Sequence, residues 1–209
     1  MSLPQFISGK PYREVSVSDA ISQRLIENAD CLLWRPTSLE GIGIKRLVRA
    51  DYVHVGLLCW QRFNGDEIVW VLEQIKPQGR AILLEPYILE NKPTKADVYG
   101  ANPGNRWPEF DRFGTVRWAI HNIPGKRYGF ASLRLAMLSH LPFTRLFFRP
   151  NTDDKQNGGN KYLVCSAAVA RSYRIGGSVD PIKNLSDNWS EPQDLARSSF
   201  LEYKFTLVH

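Results

Sequence analysis

The sequence predicts an α+β fold: a single domain over residues 1–209, with one antiparallel sheet packed against helices. Three observations predict it. Two β-rich runs, DYVHVGLLCW (51–60) and EIVWVLEQI (67–75), flank RFNGD, and Asn64-Gly65 at its centre is a strong hairpin signal. A last run, FLEYKFTLV (200–208), reads as a further strand. The alanine-rich SAAVARSY that begins at Ser166 reads as a helix, and no linker-like stretch divides the chain.

The elements follow in order. VSDAISQRLIEN (17–28) carries Ala20, Ile21 and Leu25 at helical spacing, with Ser18 as the expected cap. CLLW (31–34) is a short buried strand. SLEGIGIKRLV (38–48) reads as a helix weakened by two glycines; its GIG lacks the further glycine of a dinucleotide loop. Residues 86–97 are polar, helical or looped, and GANPGNRWPEFDRFG (100–114) is rich in turn formers. TVRWAIHNI (115–123) reads as a strand ended by Pro124-Gly125. Residues 128–149 mix apolar and basic side chains around Pro142, and DDKQNGGN (153–160) is a loop. NKYLVCSAAVARSY (160–173) then passes from an apolar strand-like run into a helix at Cys165, and a polar stretch, EPQDLARS (191–198), precedes the last strand.

Composition sets bounds. A hydrophobic fraction of 43% and a charged fraction of 23% are ordinary for a globular protein. Three cysteines without a CxxC pair fit a reducing compartment. The opening MSLPQFISGKPYREV lacks the apolar core of a signal peptide, and no run approaches the ~20 apolar residues that cross a bilayer. Action outside the cytoplasm would need delivery by something other than a standard signal. The net charge of +6 favours anionic partners. The basic residues are scattered, however, with no zinc-finger spacing and no RNP-like signature, so nucleic acid is not an expected partner. With no HExxH and no histidine pair at i, i+4, neither a metal nor another cofactor is expected.

The reactive chemistry centres on Cys165. A thiolate is the nucleophile, so a catalytic cysteine needs a base or a positive field. Cys165 stands at an expected helix start, where about half a positive charge favours the thiolate. Cys31 and Cys59 sit inside apolar strand runs and read as packing. Of His54, His121, His140 and His209, only His54 lies in a strand with an acid placed to orient it. If Asn64-Gly65 is a two-residue turn, Phe63 faces Asp66 and Gly56 faces Glu73. Strand alternation then puts His54, Gly56 and Glu73 on one face, with His54 and Glu73 diagonal neighbours. Gly56 is expected to leave room for another element, such as the Cys165 helix, to approach. Nucleophile, base and orienting carboxylate follow the logic of a triad.

At these residues the sequence resembles the circularly permuted NlpC/P60 group of papain-like cysteine peptidases and amidases, its yiiX-like branch. The matching segments run from about residue 28 to 205. ADCLLWRPTSLEG is similar to the family's opening strand, DYVHVGLL to the strand bearing its catalytic histidine, and VWVLEQIKPQGR to the strand bearing its polar third residue. GKRYGF, YLVCSAAVARSY and EPQDLARSSFLEY are similar to its tyrosine segment, its nucleophile helix and its ending. The resemblance implies a permuted papain-like fold with the nucleophile at a helix N-terminus, Cys165, His54 and Glu73 as the triad, and Tyr128 beside them. Ser166 and the start of its helix would serve the oxyanion. The chain departs from the family at Ala29, Val53, Gly129 and Ala167, none of them a presumed triad member.

The implied function is hydrolysis of an amide through an acyl-enzyme, in a peptidoglycan stem peptide or in an acyl-amide lipid. The implied setting is phage-associated or cytoplasmic. Two alternatives stay open: an acyl-lipid amidase or acyltransferase, and a catalytically idle papain-like domain. The idle domain would bind lipid or a protein partner through LRLAMLSHLPFTRLFFRP (133–150), whose apolar and arginine content also suits a membrane surface.

Overall fold

The computed structural model describes residues 6–7, 10–35, 51–90, 95–129 and 163–209. The expected helix at 38–48, the apolar and basic segment at 133–150 and the loop at 153–160 lie outside them.

Two short strands, β1 (Phe6–Ile7) and β2 (Lys10–Pro11), pair with each other. The main chain of elements follows: β3 (Glu14–Ser16), α1 (Val17–Ser22), β4 (Cys31–Trp34), β5 (His54–Phe63) and β6 (Asp66–Glu73). Then come β7 (Arg80–Leu83), α2 (Leu84–Glu90), β8 (Ala96–Ala101) and α3 (Arg112–Asn122). The series ends with α4 (Cys165–Arg171), a π-helical turn (Ser172–Gly176), α5 (Pro192–Arg197) and β9 (Leu201–Val208). Seven strands form one sheet in the order β3-β9-β8-β4-β5-β6-β7.

The sheet is mixed, where the sequence predicts an antiparallel one. β3 runs parallel to β9, with Glu14 facing Thr206. A parallel pair needs a long crossover, and here everything between the two chain ends supplies it. The other neighbours are antiparallel.

Local signals explain where other expectations hold or fail. The 63–66 turn forms as expected, with Asn64 and Gly65 both at positive φ, the geometry a two-residue hairpin needs. The run at 115–123 is helix, not strand. Asp111 caps it by accepting the Gly114 N–H at 2.8 Å, and Val116, Ala119 and Ile123 turn inward at helical spacing. Its β-branched residues and Trp118 imitate a strand, but cap and packing outweigh that weak preference. Helix α1 is shorter than expected and its cap is Ser16, whose Oγ accepts from the Asp19 N–H at 3.0 Å. Arg24 at φ 54° ends the turn that follows it. Ala29, where the family resemblance expects glycine, takes a left-handed φ of 64°.

The sheet carries a core on each face. Leu33, Val55, Leu57, Cys59 and Leu72 pack with Val116 and Ala119 of α3 and with Ala168 and Val169 of α4. Leu32, Leu58, Val69 and Val71 pack on the other side with Ala20 of α1 and with Leu84, Tyr87 and Ile88 of α2. Both clusters are sealed from water, so each face contributes hydrophobic stabilisation of roughly 1.5–3 kcal/mol per large side chain. Ala167, Ala168 and Ala170 let α4 lie close against the sheet.

Candidate active site

The site forms at the end of the sheet where β5 begins. The register places Gly56 opposite Glu73, and Glu73 opposite Arg80. His54, two residues before Gly56, is therefore diagonal to Glu73 on the same face. Its Nε2 lies 2.7 Å from Glu73 Oε2. A carboxylate only accepts, so Nε2 carries the proton and Nδ1 is the ring nitrogen left for Cys165. A hydrogen bond joins the His54 ring to the Cys165 thiol.

Cys165 reaches this point from the opposite face. Its helix packs with Val55 and Leu57, whereas Glu73 neighbours Val71 and Tyr87. The two faces meet because His54 is the first residue of its strand and Cys165 the first of its helix. The backbone N–H groups of Val55 and Ser166 both donate to the sulfur. No side chain caps α4 at Val164, which leaves that helix end open to an anion.

Gly56 acts differently from the expectation. It does not admit the Cys165 helix. A Cβ there would lie 2.6 Å from Val71 Cγ1 and 3.4 Å from Glu73 Cβ. The missing side chain makes room for β6, and keeps the diagonal between Glu73 and His54 clear.

The electrostatics separate Cys165 from the other two cysteines. Burial pushes the Cys31 and Cys59 thiols up to about 12. Burial pushes on Cys165 as well, yet its pKa falls below the ordinary thiol value. The hydrogen bond and charge of His54, with the two backbone donors, outweigh desolvation. For His54, burial opposes the imidazolium, but Cys165 and Glu73 overcome it and raise the pKa to about 10. Burial likewise works to raise Glu73, and His54 and Arg80 hold it below the usual carboxylate value. The pair is thus poised as thiolate and imidazolium.

Both ends of the row are buried, and His54 between them is the most exposed of the three. The Glu73 side chain is 0% exposed and that of His54 19%, so the carboxylate end is sealed and the imidazole meets solvent.

Tyr128 lies beside Cys165, and burial followed by the thiolate's charge raises its pKa, which keeps the phenol protonated. Its segment is pinned by two neighbours: the Tyr128 N–H donates to the Pro77 carbonyl at 3.0 Å, and the Gly129 N–H to the Leu163 carbonyl at 2.9 Å. Buried Gln74 ties the same corner together by donating from Nε2 to the Lys126 carbonyl at 2.9 Å. The Ser166 hydroxyl does not face the site. It donates to the Ser190 carbonyl, so Ser166 offers only its backbone N–H.

Three contributors escaped the sequence reading. Arg80 donates from Nε to Glu73 Oε1 at 2.8 Å, and Tyr87 donates to Oε2 at 3.1 Å. The third is the Val55 backbone N–H. Arg80 was legible in principle, because a short connection from Glu73 returns it to the facing position. Tyr87 arrives on α2, which no local signal aims at Glu73.

Comparison of the sequence with protein-family models and with curated proteins finds no match. Comparison of the fold finds the crystal structure of metalloprotein yiiX from Escherichia coli O157:H7. The TM-score is 0.57 at 15% identity, over 85% of this chain and 96% of that one. The chain shares the fold of yiiX. At that identity the likeness speaks for architecture. Among the described residues no helix is long and apolar enough to cross a membrane.

Proposed function

We propose that this chain is a cysteine hydrolase of the permuted NlpC/P60 type, cleaving an amide through an acyl-enzyme. The observation that carries the reading is the row Cys165–His54–Glu73, with a thiol depressed against its own burial at one end and a sealed carboxylate at the other.

In this reading His54 holds the proton of Cys165, and Glu73 fixes the ring through Nε2–H. The thiolate attacks the carbonyl carbon, and the oxyanion is stabilised by backbone N–H groups at the uncapped start of α4. His54 delivers its proton to the departing amine as the C–N bond breaks. A water then attacks the thioester, giving its proton to His54, and the acid leaves as the C–S bond breaks, which restores the thiolate beside the protonated His54. In this reading the Tyr128 phenol, kept protonated beside Cys165, helps shape the same place. The proposed substrate is a stem peptide of peptidoglycan, whose anionic character suits a protein of net charge +6.

The structural neighbour yiiX is named as a metalloprotein. Among the described residues here, no group of three or more His, Cys, Asp and Glu side chains is arranged to hold a metal. His54, Glu73 and Cys165 bond to one another in a row instead of converging on a common point, so no step is routed through a metal.

The test is iodoacetamide labelling across pH, mapped to each cysteine by mass spectrometry, on the wild type and His54→Ala. Fast labelling of Cys165 below pH ~7 that is lost in His54→Ala supports the reading; ordinary thiols titrate near ~8.5. Labelling of Cys165 no faster than an ordinary thiol at every pH overturns it.

A further inference from the structure

We propose that Arg80 and Tyr87 are positioning residues that lock the Glu73 carboxylate in one ionisation state and one rotation, and thereby keep Nδ1 of His54 the nitrogen that takes the Cys165 proton. The proposal rests on the hydrolase reading for its catalytic meaning, though not for its geometry.

Glu73 receives donors from three separate elements. His54 on β5 and Tyr87 on α2 both take Oε2, at 2.7 and 3.1 Å. Arg80 on β7 takes Oε1, with Nε at 2.8 Å and Nη2 at 2.7 Å. The Arg80 guanidinium also lies 5.1 Å over the Tyr87 ring, so the two donors brace each other. The terminal torsion of a glutamate is broad and nearly two-fold, so a carboxylate held by His54 alone would exchange its oxygens. With Oε1 held side-on by Arg80, Oε2 is the oxygen left for the ring.

Charge matters as much as rotation. Glu73 is fully buried, and burial favours its neutral form. A neutral carboxyl has a proton to donate, and could bond the ring nitrogen as donor instead of acceptor. His54 would then carry its proton on Nδ1, facing the thiol, and could not accept from it. Arg80 prevents this, and because its own side chain is 41% exposed it keeps much of its hydration while doing so.

The effect of Arg80 on Cys165 therefore passes through Glu73, which makes it separable from mere stability. Three variants are compared: Arg80→Met, Glu73→Gln and the two combined, with Tyr87→Phe as a near-isosteric second probe and Arg80→Lys as the conservative one. The first readout is the rate and pH profile of Cys165 labelling. Arg80→Met is expected to slow labelling at neutral pH about 10-fold and move its acid limb upward. It is expected to add nothing further in the Glu73→Gln background. Arg80→Lys keeps a cation but loses the side-on pair, and is expected to recover part of the rate. Tyr87→Phe is expected to fall between it and the wild type.

The second readout does not depend on thiol reactivity. In protein with 15N-labelled histidine, assigned with His54→Ala, the Nε2 proton of His54 is expected to be protected from exchange in the wild type and unprotected in Arg80→Met. Nε2 protection that Arg80→Met leaves unchanged overturns the proposal. So do effects of Arg80→Met and Glu73→Gln that multiply. An ordinary Cys165 whose neighbouring Nε2 proton still depends on Arg80 overturns the hydrolase reading and leaves the positioning role standing.

Discussion

His54 and Glu73 are diagonal neighbours across β5 and β6, joined by a 2.7 Å hydrogen bond from Nε2 to Oε2. The contact is set by strand register, because a slip of one residue in one strand would send the two side chains to opposite faces. The Asn64-Gly65 turn, at the far end of β5, fixes the register that aims the histidine.

The first prediction concerns pH. The Cys165 pKa is lowered and that of His54 raised to about 10, so the charged pair persists between the two values. Below the lower one the thiolate is reprotonated; near pH 10 the imidazolium loses its proton. The labelling rate of Cys165 should rise at a pH below that of a free thiol and stay level until the alkaline limb. NMR titration of His54 should show its transition near the same alkaline limb, about 10. A His54 titration at the ordinary value near ~6.5 would contradict the pairing.

Glu73 gives a stability prediction of opposite sense. Its pKa is lowered on folding, so its contribution is present above the unfolded value and is lost as pH falls through the folded one. Glu73→Gln should therefore destabilise the protein more at neutral pH than at about pH 3, below the ordinary carboxylate range. Thermal midpoints at the two pH values measure the difference.

Gly56→Ala should be costly although it adds a single carbon. The new Cβ meets Val71 Cγ1 at 2.6 Å. Overpacking of this kind costs about 1–3 kcal/mol. Because the strain is local, Val71→Ala in the same chain should return part of the loss, measured by denaturant midpoint. An unchanged midpoint in the single variant would show that β6 can shift freely.

Asp97 tests a buried network centred on β8. It is fully buried, accepting from Arg35 at 2.8 and 3.0 Å, Tyr52 at 2.7 Å and Thr206 at 2.6 Å. Asp97→Ala strands a partly buried arginine and two buried hydroxyls, and should cost about 3 kcal/mol. Denaturant midpoints of the wild type and Asp97→Ala measure the loss, and an unchanged midpoint would contradict it.

Cys31 and Cys59 should stay unlabelled in the native protein at about pH 8, where an ordinary thiol already reacts, and should react on unfolding. Both are buried, and burial holds their thiols up at about 12. Their labelling in the native state would mean that the sheet opens locally.

Local sequence was enough to specify the hairpin, the strand at 31–34, the last strand and the helix beginning at Cys165. Each rests on a signal within a few residues: a turn dipeptide, a run of apolar residues, a change of period. From the turn alone the shared face of His54 and Glu73 could be computed. Long-range packing settled the rest. It made a helix of 112–122, because Asp111 and a waiting apolar surface outweigh β-branched propensity. It paired β3 with β9 in parallel, since edge pairing between distant chain ends leaves no local mark. It brought Cys165 to His54 from the far side of the sheet, and it enclosed Glu73 between Arg80 and Tyr87. A period or a turn is written into neighbouring residues, whereas the field felt by a buried charge is the sum of whatever the fold packs around it.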